Sequence, residues 1–169
     1  MTTPPGDETE LAVRAVGRGV ETGATAPAGP GPEHARLGVF IGRWINEGET
    51  VNVEPAMKII TSDVYDWIPG GFFVLHTAYG KTGPFGGGAT EIIGWDETAG
   101  RYRSWLFDSG GNATEHTLSH DDGRWTWQGE STRCTATFSK DGRVQSARHE
   151  RLDGDRWIHT MDVALTRID

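Results

Sequence analysis

The sequence predicts an all-β protein: ten short antiparallel strands closing into an up-and-down barrel, with a short N-terminal helix. Three observations carry this. Asp-Gly or Gly-Gly turn signals recur at steps of about ten residues, the rhythm of consecutive hairpins. Between them apolar and polar residues alternate with the period of a strand. All seven tryptophans lie after residue 43, a density of large rings that suits a barrel interior or a pocket lined with them. A run of hairpins closes readily into a barrel, because closure removes the exposed edges.

Taken in order, residues 1–32 hold five prolines and six glycines and no aromatic residue. Such a segment buries too little to offset its ordering entropy and is expected to be a disordered tail. The domain is expected over 33–169. Leu37, Phe40 and Ile41 stand at i, i+3, i+4, the spacing of a short helix with one buried face. Strands are predicted at 43–53, 57–67, 72–79, 90–95, 101–108, 112–119, 124–130, 132–139, 143–150 and 156–168. Lys81-Thr-Gly-Pro-Phe-Gly-Gly-Gly88 is expected to be a glycine loop at the barrel mouth, a flexible rim or a lid.

Alternation assigns the faces. Trp125 and Trp127 point in on the seventh strand, and Cys134, Ala136 and Phe138 on the eighth. Thr114, His116 and Leu118 share one side of the sixth. Trp157, His159, Met161, Val163 and Leu165 form one side of the tenth. The third strand is ambiguous, with apolar residues on both sides.

Gly42-Arg43-Trp44 at the start of the meander, with Leu165-Thr-Arg167 at its end, resembles the calycin superfamily. That resemblance implies a calycin-like barrel in which Trp44 and Arg167 form the floor, the guanidinium packed on the indole. Further blocks resemble a bacterial domain-of-unknown-function family, number 1579, with a lipocalin-like barrel. They are Asp63-Val-Tyr-Asp-Trp-Ile-Pro-Gly-Gly-Phe-Phe73 with His76, Glu91-Ile-Ile-Gly-Trp-Asp96, Asp122-Gly-Arg-Trp-Thr-Trp127 and Met161-Asp-Val-Ala-Leu-Thr-Arg-Ile168. The resemblance covers about residues 34–169 and implies a barrel that binds something small. Nitrobindin-type haem barrels share the ten-strand design and carry a proximal histidine near the start of the last strand. Thr160 falls at that position, with His159 beside it, so haem is the weaker reading and no cofactor is expected.

The formal net charge is −8, which disfavours nucleic acid and anionic membrane surfaces as partners. No apolar run reaches the roughly 20 residues of a membrane span, and the start has no signal-peptide pattern. One cysteine, Cys134, makes no internal disulfide and no cysteine-based zinc site. A cytoplasmic protein is expected, and a homodimer is compatible with the sequence. Catalytic motifs such as His-Glu-x-x-His, Gly-x-Ser-x-Gly and a phosphate loop are absent.

His76, His116 and His159 are the histidines of interest. A histidine on the apolar side of a strand is as a rule a hydrogen-bonded core residue. The sharper reading has several of them converging in the lumen on a ligand. No spacing rule brings them together as metal ligands, and no metal is expected. His34, His120 and His149 read as solvated tail or turn-edge residues. Glu91 either faces solvent or sits inside, with a raised pKa and an acid–base role. Asp63 alternates with Thr61, Tyr65 and Trp67.

Two functions fit. In the first, a small hydrophobic or aromatic metabolite sits in the lumen against Tyr65, Trp67, His76, His116, Trp127 and His159. In the second, a cyclase- or isomerase-type enzyme of bacterial secondary metabolism uses the same lumen, with His76, Glu91 and His116 catalytic. A lumen histidine or carboxylate with a perturbed pKa and a partner would separate them.

Overall fold

The computed structural model describes residues 29–169. The expected tail therefore lies almost wholly outside the described residues. Helix α1 (Pro32–Arg36) is followed by a 3-10 turn, Leu37–Val39. Ten strands follow: β1 (Gly42–Thr50), β2 (Lys58–Trp67), β3 (Phe73–Thr82), β4 (Phe85–Asp96), β5 (Arg101–Asp108), β6 (Ala113–Asp121), β7 (Arg124–Gln128), β8 (Thr132–Phe138), β9 (Val144–Asp153) and β10 (Arg156–Arg167). Each pairs antiparallel with its neighbours, and β1 pairs with β10, so the sheet closes on itself. The Asp122-Gly123 turn has positive φ at both residues, 45° and 75°, as a tight primed hairpin turn demands.

The expected glycine loop is instead a hairpin. Gly86, Gly87 and Gly88 lie in β4, opposite Lys81, Gly80 and Tyr79 of β3. The Tyr79 ring lies over Gly88, where an added Cβ would come within 2.7 Å of it. An aromatic ring covering a cross-strand glycine supplies the packing that the glycine lacks.

One end of the barrel is plugged. Phe40, following the 3-10 turn, inserts among Trp125, Trp127 and Phe138, with ring centroids at 5.0, 5.6 and 5.6 Å. Trp44 Nε1 donates to the Phe40 carbonyl at 2.9 Å. The Arg167 guanidinium lies 4.4 Å from the Trp44 ring and donates to the Val39 carbonyl at 3.1 Å. The Tyr102 hydroxyl donates to the Glu33 carbonyl at 2.8 Å. Leu37, Phe40 and Trp44 have no solvent exposure. The segment leading into β1 and the end of β10 thus form one floor, and the residues expected there, Trp44 and Arg167, sit together. His34 is buried against Phe72 rather than solvated.

Candidate functional site

Above the floor the lumen opens into a cavity of about 740 Å³, bounded at its far end by the glycine-rich β3–β4 hairpin. Strand alternation aims Tyr65, His76, Glu91, His116 and Trp127 into it, so the inner face of β3 carries His76, and Glu91 sits inside rather than facing solvent. Two other expected residues do not line it. Trp67 ends β2 beside the N-terminal turn and is 37% exposed. His159 is turned away by a bulge. Between His159 and Met161 the register against β9 shifts, so that Thr160 and Met161 both line the cavity. An inserted residue reverses the alternation. His159 Nε2 instead lies 2.9 Å from the carboxylate of Asp162, half exposed on the outer face. The expectation that His159 faces the lumen is thereby corrected.

Three neighbouring strands build a charged cluster. Tyr65 pairs with His76, and His76 with Glu91, so β2, β3 and β4 set them side by side on the inner face. His76 Nδ1 lies 3.2 Å from Glu91 Oε2, and Nε2 lies 3.1 Å from Asp63 Oδ1. Both ring nitrogens face carboxyl groups; when both of these are ionised they can only accept, so both nitrogens donate and the ring is held as an imidazolium. The Tyr65 ring stacks on it at 3.8 Å and 5°. The remaining oxygens are also engaged: Trp127 Nε1 donates to Glu91 Oε1 at 3.2 Å, and Thr61 Oγ1 to Asp63 Oδ2 at 2.6 Å.

Electrostatics follow from this geometry. Burial disfavours a charged His76, but the Asp63 and Glu91 hydrogen bonds outweigh it and raise its pKa. Burial likewise opposes an ionised Glu91, yet His76, with smaller help from Ser104, holds its pKa below the usual value. The sequence expectation for an interior carboxylate is therefore reversed by its partner. Burial, then the two carboxylates, push the Tyr65 hydroxyl well above its ordinary value.

Across the lumen lies a neutral group that sequence reasoning missed. His149, expected at a turn edge, is mid-strand on β9, and its Nε2 lies 3.6 Å from Cys134 Sγ. Burial lowers its pKa to about 4 and raises that of Cys134 to about 12. His116 is lowered by burial too, with Ser104 at 3.5 Å and Thr132 at 3.3 Å. The alternation Gln145, Ala147, His149 could have placed His149 inside, had β9 been read to its full length. Asp63 was a candidate from alternation alone, but its partner is visible only through the β2–β3 register. No group of three or more histidine, cysteine or carboxylate side chains suited to a metal occurs among the described residues. The last-strand histidine that a haem reading requires is the outward-facing His159, so the residues do not fit that group.

No family model matches the chain, and no curated protein matches it. Solved structures do. Rv2717c from M. tuberculosis superposes with a TM-score of 0.60 at 13% identity, covering 82% of this chain and 99% of its own. The zebrafish ileal bile acid-binding protein complexed with cholic acid superposes at 0.52 and 12% identity, covering 77% and 99%. Likeness at this identity establishes the fold: a closed, calycin-like antiparallel barrel. Among the described residues no helix is long and apolar enough to cross a membrane.

Proposed function

We propose that this barrel binds a small, largely apolar ring compound in its lumen. The observation that carries the reading is the cavity of about 740 Å³ above a sealed floor, where Ile59, Tyr65, Trp127, Met161, Val163 and Leu165 offer apolar surface between polar and charged side chains. The cholic acid complex of the zebrafish barrel supports the class of function and says nothing of this ligand. The blocks resembling family 1579 contain Asp63, Tyr65, His76, Glu91 and Trp127, so membership of that family is part of the proposal. A cytoplasmic location belongs to it too.

The cluster favours binding over catalysis. As an imidazolium His76 has no lone pair to take a substrate proton, and both of its ring nitrogens are engaged by Glu91 and Asp63. An enzyme on this barrel would rely on His116, whose lowered pKa keeps it a neutral base with weak partners. Native mass spectrometry of the purified chain tests the binding reading. The expected result is a noncovalent adduct that disappears in Ala78→Phe, which puts a ring into the cavity. An adduct that persists in this variant, or the lack of any adduct together with unchanged tryptophan emission across an aromatic probe panel, overturns it.

A further inference from the structure

The lumen carries polar groups of two kinds, distinguished by whether their bonds are made. The charged cluster is closed, each member satisfied by another. The amides elsewhere on the inner wall are not. Gln145 on β9 is 4% exposed, and its side-chain oxygen is buried without a hydrogen-bond partner. Asn46 on β1 presents a buried side-chain oxygen in the same condition. Both residues line the cavity. Leu165 pairs with Asn46 on one side and Gln145 on the other, so the two amides flank it. In the closed strand order β9 stands five strands from β4, on the far wall from Glu91.

A buried amide without a partner costs about 1–3 kcal/mol, and folded proteins keep few such groups without a reason. The other two such atoms among the described residues are His159 Nε2 and Arg167 Nε. His159 has the Asp162 carboxylate at 2.9 Å, and Arg167 has the Trp44 ring and the Val39 carbonyl. Nothing in the fold accounts for the lumen pair.

We propose that Asn46 and Gln145 form a ligand subsite that takes a neutral hydroxyl or amide group, while the ligand's rings lie against Tyr65 and Trp127. The inference rests on the lumen-binding reading and names the chemistry of its ligand. A carboxamide turned end for end exchanges its oxygen and its N–H groups. A hydroxyl or an amide meets either orientation, because each both donates and accepts. A carboxylate could only accept and an ammonium could only donate, so neither fits both.

The test titrates the full chain with naphthalene, 2-naphthol and 2-methoxynaphthalene, followed by fluorescence. In the wild type 2-naphthol should bind about tenfold tighter than naphthalene, in line with one net hydrogen bond. The methoxy compound, which cannot donate, should lose most of that gain. Gln145→Leu and Asn46→Leu should each reduce the preference, and the pair together should abolish it. Naphthalene affinity should hold or improve, and the melting temperature should not fall. Equal affinities in the wild type, or a preference that survives both substitutions, would show water-filled amides and overturn the subsite. Gln145→Met, closer in shape, guards against a packing failure; collapse of both Gln145 variants marks a structural amide and also overturns it. If none of the three probes binds, the lumen-binding reading itself fails, and the subsite with it.

Discussion

His76 decides how the lumen behaves with pH. Its folded pKa is raised, so its contribution to stability is complete below the unfolded value of about 6.5 and is lost as pH rises through the folded value. Glu91 runs the other way: its contribution is present above the unfolded value of about 4.5 and is lost as pH falls through the depressed folded one. Histidine-ring NMR should therefore show His76 titrating above His116 and His149. The reverse order would mean the Asp63–His76–Glu91 cluster is not formed. His76→Phe leaves two buried carboxylates facing each other without a cation and should cost about 3–5 kcal/mol in denaturant unfolding. Cys134, with its thiol raised to about 12, should resist alkylation in the native protein at pH 8, since only the thiolate reacts. Rapid labelling would show that the lumen opens to solvent.

At the scale of elements, glycines and one bulge shape the barrel. A Cβ at Gly48 would collide with the Asp162 carbonyl oxygen, and one at Gly80 with that of Ile60. Both are inner-face positions where neighbouring backbones approach closely. Gly48→Ala should cost about 1–3 kcal/mol by overpacking, read as a lower denaturation midpoint. An unchanged midpoint would mean that the strands can part there freely. The elements were largely legible in the sequence: β5 is predicted residue for residue, and the inward faces of β6, β7 and β8 follow from alternation. What was not legible has local causes. Glycine composition suggested a loop where pairing with β3 continues through Gly86, Gly87 and Gly88. The extra residue at Thr160 reversed the faces of early β10 and took His159 out of the lumen. Reading β9 as ending at Glu150 left His149 at an edge, when the strand runs on to Asp153.

The whole molecule divides into a sealed floor and an open lumen, and the two should separate experimentally. Arg167→Leu removes the cation over Trp44 and a bond to Val39, and should lower stability by about 0.5–2 kcal/mol. Binding of aromatic probes should be unaffected, since the lumen cluster lies on other strands. A loss of binding at unchanged stability would place the floor inside the site. Trp44→Ala should be costlier, about 3–5 kcal/mol, because the ring is fully buried beneath the α1 turn. From the sequence alone follow the strand count, the closed meander, the aromatic interior and the floor, because all rest on local periodicity, turn chemistry or short motifs. Only the tertiary structure decided which polar side chains meet. Asp63, His76 and Glu91 come from three strands, Asn46 and Gln145 from two more, and their juxtaposition depends on inter-strand register and one bulge, which no local pattern encodes.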